Sequence, residues 1–138
     1  MVWIHGGGNT SGMTSEYNPE RFVASQNIIV VTISYRLGLF GWFSHPELRN
    51  KSDGIDASAN FGLLDQIKAL EWIRDSIENF GGDRNNITIF GESAGGQNVI
   101  ALYVSPLAKG LFHRAISQSG GITPVSYTHL TLPTKRIV

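Results

Sequence analysis

A chain of 138 residues is long enough for one domain with a buried core. Hydrophobic residues make up 41% of the chain and charged residues 16%, which is typical of a globular protein and excludes a disordered one. Basic and acidic residues number 11 each, so no charge imbalance indicates nucleic acid or an anionic membrane, and the absence of cysteine excludes disulfides, thiol catalysis and cysteine-bound metals.

The first predicted strand is the apolar triplet at residues 2–4, which is followed by His5 and three glycines at residues 6–8. Consecutive glycines let backbone N–H groups approach a ligand with no side chain in the way. A flexible loop of no further function is an equal alternative for such a run. A polar loop over residues 9–17 precedes Pro19, a predicted helix start, and a short helix over residues 21–25.

The middle of the chain contains one predicted strand, one long loop and one helix. Residues 28–35 are almost continuously apolar, which predicts a strand buried on both faces of a parallel sheet. Residues 36–56 contain glycines and proline without a sustained period, which predicts a long loop with local turns, and loops of this length are often functional, for example as pocket walls. Residues 60–79 carry apolar side chains on one face and predict a helix that ends at the glycine pair 81–82.

The sequence Gly-Glu-Ser-Ala-Gly at residues 91–95 lies between a predicted strand at 87–90 and a predicted helix at 97–104. Strand, tight turn, serine and helix in this order are the context of a nucleophile elbow. We expect a strained backbone at Ser93, and we expect Gly91 and Gly95 to stand where a Cβ would collide. A nucleotide-binding loop is the competing interpretation, but both of its glycine signatures are absent. The turn therefore predicts a catalytic serine.

A last strand is predicted over residues 113–119, before another glycine pair at 120–121. Strands that alternate with helices predict an α/β architecture with a mostly parallel sheet and flanking helices.

Several motifs in one order resemble the carboxylesterase/cholinesterase family (type B carboxylesterases) of the α/β-hydrolase fold. The matching segments are Val-Trp-Ile-His-Gly-Gly-Gly at 2–8, Ser-Tyr-Arg-Leu-Gly at 34–38, Asn-Phe-Gly-Leu-Leu-Asp-Gln at 60–66, Phe-Gly-Gly-Asp at 80–83, Thr-Ile-Phe-Gly-Glu-Ser-Ala-Gly-Gly at 88–96, and 111–120. The resemblance covers residues 1 to about 121. It implies a partial α/β-hydrolase domain over residues 1–124, truncated at both ends.

The resemblance also implies a set of site residues. It makes Ser93 the nucleophile and assigns the oxyanion hole to the N–H groups of Gly7, Gly8 and Ala94. Such donors stabilise the negative charge that acyl transfer places on the carbonyl oxygen.

Further positions of the family pattern carry weaker implications. Glu92 is the residue directly before the serine, where the family carries an acidic residue. A structural role in stabilising the elbow is at least as good an interpretation as a catalytic role. Ser119 falls near the floor of the site, in a supporting position, and Asp65 and Gln66 are interpreted as framework. Asn9 departs from the aromatic residue often found after the glycines.

The general base that a catalytic serine requires is missing from the sequence. The fold's chain order is serine, then an acid, then histidine. His113 follows Ser93 too soon and is interpreted as a surface residue, whereas His5 and His45 precede the serine. The catalytic triad cannot be completed from this chain.

Residues 125–138 have no counterpart in the family pattern, and residues 125–134 resemble the translation of a transposase-type sequencing adapter. We therefore predict a non-native tail over 125–138, in which His129 has no functional meaning. Because Met1 directly precedes a predicted core strand, we also expect the chain to be a piece of a longer protein.

Together these observations predict that the parent protein hydrolyses carboxylic esters through an acyl-enzyme, with a small-molecule ester as substrate. No cofactor and no metal are implied, and no nucleic acid partner or membrane-spanning segment is expected. The alternatives are a catalytically inert fragment and a non-catalytic binding module of the same fold. The sequence assigns neither an oligomeric state nor a compartment.

Overall fold

The computed structural model describes residues 1–51 and 53–121. The tail predicted over residues 125–138 lies outside the described residues. Four strands form one sheet, namely β1 (Val2–Ile4), β2 (Val31–Ile33), β3 (Thr88–Glu92) and β4 (Arg114–Gln118). They are ordered β2-β1-β3-β4, and every neighbouring pair is parallel. The predicted α/β architecture with a parallel sheet is confirmed.

In the part of the chain that the structure describes, five α-helices connect the strands. They are α1 (Glu20–Gln26), α2 (Gly38–Trp42), α3 (Pro46–Asn50), α4 (Phe61–Ser76) and α5 (Ala94–Val104). Short 3-10 turns occur at Thr14–Glu16, Gly54–Ser58, Ile77–Phe80 and Pro106–Ala108. The two longest helices are α4, with 16 residues, and α5, with 11 residues.

The core joins the two central strands to the two long helices. Ile4 of β1 and Ile89 of β3 are fully buried in one apolar cluster with Leu70 of α4 and with Val99 and Leu102 of α5. The pairing of Ile4 with Gly91 sets the carboxyl ends of β1 and β3 side by side above this cluster.

Two predictions for the middle of the chain are wrong. The strand predicted over residues 28–35 is limited to Val31–Ile33, because within the described residues β2 pairs with the three-residue β1 alone. The loop predicted over residues 36–56 contains the five-residue helices α2 and α3, which are too short to produce a detectable period.

The predictions for the other elements are confirmed with shifted ends. The amphipathic helix is α4, which continues as the turn Ile77–Phe80 and ends where Gly81 adopts a φ of 81°. The helix after the serine is α5, and the last strand is β4, whose five residues are all exposed.

Candidate functional site

The turn between β3 and α5 has the predicted strained backbone. Ser93 has φ 55° and ψ −120°, a region that residues with a Cβ rarely occupy. Its N–H donates to the carbonyl oxygen of Gln118 at 2.9 Å, and its carbonyl oxygen accepts from the N–H of Gln97 at 3.0 Å. Both backbone groups are therefore used to hold the turn, while the hydroxyl makes no capping hydrogen bond.

Neither glycine that flanks the serine leaves room for a side chain. A Cβ on Gly91 would lie 2.6 Å from the carbonyl oxygen of Ile4, and one on Gly95 would lie 2.0 Å from the same oxygen. The predicted collision is confirmed. The elbow is thus pressed against the end of β1 by backbone contacts.

The glycine run after β1 reaches the elbow directly. Ile4 is the register partner of Gly91, so the loops that follow β1 and β3 leave the sheet at the same end. A Cβ on Gly6 would lie 2.8 Å from the carbonyl oxygen of Glu92 and 3.3 Å from the Cβ of Ser93. The two segments that the sequence marked as parts of one site are therefore neighbours.

The orientation of the Gly7 N–H is fixed through the carbonyl of the same peptide unit. The Nδ1 of His5 lies 2.9 Å from the carbonyl oxygen of Gly6. A carbonyl oxygen can only accept, so Nδ1 carries the hydrogen. The described chain has no cis peptide, and the N–H of Gly7 therefore points away from His5.

The Gly8 N–H is oriented in the same way. The carbonyl oxygen of Gly7 accepts from the N–H groups of Thr10 and Ser11 at 3.1 and 3.0 Å, and from both of their hydroxyls at 3.2 Å. The N–H of Gly8 therefore points to the opposite side. Within the described chain neither Gly7 nor Gly8 gives its N–H to a protein acceptor. Two oriented backbone donors are left available for a ligand.

The described histidines are all engaged away from the serine hydroxyl. His5 is buried, stacks on Tyr35 with 4.5 Å between ring centroids, and accepts at its carbonyl oxygen from the Tyr35 hydroxyl. His45 is exposed and caps α3 by accepting from the N–H of Glu47. No histidine in residues 1–51 or 53–121 is hydrogen-bonded to Ser93. His129 lies outside these residues.

His113 lies at the opposite end of the sheet from the elbow. Its Nδ1 accepts from the N–H of Ile87 at 3.2 Å, just before β3 begins. Five strand residues, about 16 Å, separate this point from Ser93. The interpretation of His113 as an exposed residue unrelated to the serine agrees with this position.

Glu92 and Ser119 lie near the elbow but have few contacts there. Glu92 is exposed, and its Oε2 lies 3.3 Å from the position of a Cβ on Gly6. Ser119 is exposed and has φ 52°, directly after the Gln118 carbonyl that holds the elbow. The structure brings both residues to the correct end of the sheet.

Asp65 is held in a bidentate ion pair. Arg36 donates from Nε and from its terminal nitrogen at 2.7 Å each, and the Arg36 backbone N–H adds a third bond at 3.0 Å. The guanidinium hydrogen bond keeps the pKa of the Asp65 carboxyl below its usual value. The guanidinium also lies 4.8 Å above the ring of Phe61. These contacts suit a framework residue that ties the start of α4 to the chain after β2.

One polar residue of the site region, Asn98, has no motif to mark it in the sequence. It is buried on α5, and its Nδ2 donates to the Oδ1 of Asn9 at 2.9 Å. A signal does exist, because Asn98 stands four residues from both Ala94 and Leu102, and both are buried. A polar residue in such a stripe requires a buried partner.

Among residues 1–51 and 53–121, no cluster of three or more histidine, aspartate or glutamate side chains is placed to hold a metal ion. In the same residues no helix has the length and apolarity needed to cross a membrane.

The comparisons with known proteins agree on one family. The profile of the Carboxylesterase family matches residues 1–136. The chain is 51% identical over 128 residues to the medium-chain fatty acyl-CoA hydrolase precursor of Anas platyrhynchos, which covers 93% of the chain and 22% of that protein. It is 53% identical over 120 residues to liver carboxylesterase 1 of Oryctolagus cuniculus, which covers 87% of the chain and 20% of that protein. The chain thus spans about a fifth of the length of these relatives.

A solved structure gives the same result. A thermophilic PNB esterase superposes with a TM-score of 0.78 at 48% identity, over 87% of this chain and 24% of that one.

Proposed function

The chain belongs to the carboxylesterase family and has the α/β-hydrolase fold, and from this premise we propose that the full-length protein hydrolyses carboxylic esters with Ser93 as nucleophile. The observation that carries the proposal is the strained backbone of Ser93 at the junction of β3 and α5. This conformation presents the hydroxyl at the N-terminus of a helix, beside the glycine run.

The proposed reaction is acyl transfer through a covalent intermediate. The Oγ of Ser93 attacks the ester carbonyl, and the N–H groups of Gly7, Gly8 and Ala94 donate hydrogen bonds to the oxyanion of the tetrahedral adduct. The adduct expels the alcohol to leave an acyl-enzyme, and water then releases the carboxylic acid and regenerates Ser93. Because the carbonyls of the same peptide units, those of Gly6 and Gly7, are already fixed by other bonds, the N–H groups of Gly7 and Gly8 need no rearrangement when that charge appears. Each such donor is worth about 10²–10³ in rate. The substrate is a small-molecule ester, and no metal or organic cofactor takes part.

The proton of Ser93 requires a general base outside the described residues. We propose that an acid and a histidine encoded downstream of this chain complete the triad. The 138-residue chain alone is therefore expected to be inactive. A non-catalytic binding module is the less favoured alternative, because the Gly-Glu-Ser-Ala-Gly turn is intact and Ser93 keeps a strained backbone of the kind that clusters at active sites.

The test compares the full-length protein and the 138-residue chain with a p-nitrophenyl ester and a fluorophosphonate. We expect the full-length protein to hydrolyse the ester and to gain one phosphonyl group on Ser93, and the short chain to do neither. Ser93→Ala should abolish both signals. Ser25→Ala, at an exposed serine of α1, is the matched control and should change neither.

Two results would contradict the proposal. Full ester hydrolysis by Ser93→Ala would remove the serine from the mechanism. Hydrolysis by the 138-residue chain that Ser93→Ala abolishes would show that no downstream base is needed.

A further inference from the structure

A buried hydrogen bond joins the segment after the glycine run to the helix after the serine. The Nδ2 of Asn98 donates to the Oδ1 of Asn9 at 2.9 Å, and the two residues are 89 positions apart in the sequence. Asn9 is 7% exposed and Asn98 is 2% exposed. The bond therefore does not compete with water on either side.

Asn9 is held from its backbone as well as from its side chain. It has φ 59°, a conformation that asparagine tolerates better than most residues. Its carbonyl oxygen accepts from the N–H of Gly38 at 2.7 Å. The residue directly after Gly8 is thus fixed at two points, one on α5 and one on the chain after β2.

Asn98 is fixed by the helix that the elbow begins. It lies one turn after Ala94 on the same buried face of α5. The Asn9–Asn98 bond therefore spans the two segments that carry the proposed oxyanion donors, Gly8 on one side and Ala94 on the other.

An apolar pair would be the simpler way to fill this buried position. Burying two amides costs free energy that one hydrogen bond only partly offsets. Unlike an apolar contact, however, the hydrogen bond fixes a distance and a direction between the two segments. The Asn9–Asn98 pair thus sets the separation between the segment after the glycine run and α5.

We propose that Asn9 and Asn98 are positioning residues that set the distance between the Gly7–Gly8 donors and the Ala94 donor. The inference rests on the proposed ester hydrolysis. Neither side chain touches the reacting atoms in this scheme. They act by positioning the N–H groups of Gly7, Gly8 and Ala94.

This role predicts a specific kinetic change. Donors that are slightly misplaced stabilise the charged transition state less well but leave binding of the neutral ester unchanged. Loss of the bond should therefore lower kcat and leave KM unchanged. The pH profile should not shift, because an asparagine side chain does not titrate.

The experiment uses the full-length protein with the variants Asn9→Gly, Asn98→Leu and the double variant. Glycine adopts the Asn9 backbone without strain, and leucine fills the Asn98 position without a donor. Asn27→Gly is the matched control, because Asn27 also has a positive φ (50°) but is exposed at the end of α1. Each variant is assayed for kcat, KM and inhibition by a trifluoromethyl ketone, which mimics the tetrahedral adduct.

We expect each single variant to lower kcat and ketone affinity about 10- to 100-fold, with KM within about twofold. The double variant should lose no more than the worse single variant, since both changes remove one bond. Asn27→Gly should leave all three values unchanged.

A folded Asn9→Gly variant with unchanged kcat, or one whose loss appears in KM, would overturn the inference. If Asn98→Leu fails to fold, Asn9→Gly against Asn27→Gly decides alone. Activity that survives Ser93→Ala would instead overturn the proposed function, so the two failures are distinguishable.

Discussion

Gly95 lies so close to the end of β1 that a Cβ on it would come within 2.0 Å of the carbonyl oxygen of Ile4. The contact is between backbones, so no rotamer change can relieve it. It fixes the first turn of α5 against the strand from which the glycine run emerges.

Gly95→Ala should therefore push α5 away from β1. We expect a loss of about 3 kcal/mol in the free energy of unfolding, and loss of ester hydrolysis in molecules that still fold. Urea unfolding of the full-length protein measures the first effect. The control is Gly110→Ala, which has open space around the new Cβ but a φ of 79°, and should cost only about 1 kcal/mol. Equal losses of unfolding free energy in Gly95→Ala and Gly110→Ala would contradict the close contact between Gly95 and Ile4.

The strain at Ser93 should be measurable by comparing two inactive variants. Both Ser93→Ala and Ser93→Gly remove the hydroxyl, but only glycine occupies φ 55° and ψ −120° without strain. We expect Ser93→Gly to be more stable than Ser93→Ala by about 1 kcal/mol, after allowance for the greater freedom of glycine in the unfolded chain. Thermal unfolding measures the difference. A Ser93→Ala variant at least as stable as Ser93→Gly would show that the elbow carries no strain.

The ion pair between Arg36 and Asp65 should make stability depend on pH in the acid range. Its hydrogen bond lowers the pKa of folded Asp65, so the stabilisation is fully present above the unfolded value, about 3.9. It is lost as the pH falls through the folded value. The side chains are 50% and 27% exposed, which limits the pair to about 1 kcal/mol.

Asp65→Asn should thus be less stable than the wild type at pH 7, and the gap should close as the pH falls through the lowered pKa of folded Asp65. Urea unfolding at pH 7 and at a series of acid pH values tests this. Asp75→Asn is the control, because Asp75 pairs with Arg74 on the exposed surface and its loss should matter less. A gap that widens toward acid pH would contradict the assignment.

The parts of the fold that sequence predicts best are those with long or strongly marked patterns. The sixteen residues of α4 carry an apolar stripe over four turns, and its end is marked by Gly81. The ends of β2 could not be predicted, because they depend on the length of β1, its one partner strand among residues 1–51 and 53–121. Helices α2 and α3 escaped prediction because five residues complete little more than one turn.

In the candidate site, too, some features could be predicted from the local sequence and others could not. The strain at Ser93 and the crowding at Gly91 and Gly95 follow from the chemistry of a tight turn, so local sequence is sufficient. The bond between Asn9 and Asn98 depends on the packing of two distant segments. No local pattern carries that information.

The pairing of β1 with β3 has a consequence for how the protein acquires its activity. Val2 of β1 pairs with Ile89 of β3. The glycine run and the serine therefore become neighbours only when the chain between these two strands has closed into a loop. Closing such a loop costs entropy before any contact repays it, and parallel pairing across it is slow. Helices α4 and α5 can form early from their own sequences, but the proposed oxyanion donors cannot assemble until β1 has paired with β3. Recovery of the proposed activity during refolding should therefore follow this long-range pairing rather than the first appearance of helical structure.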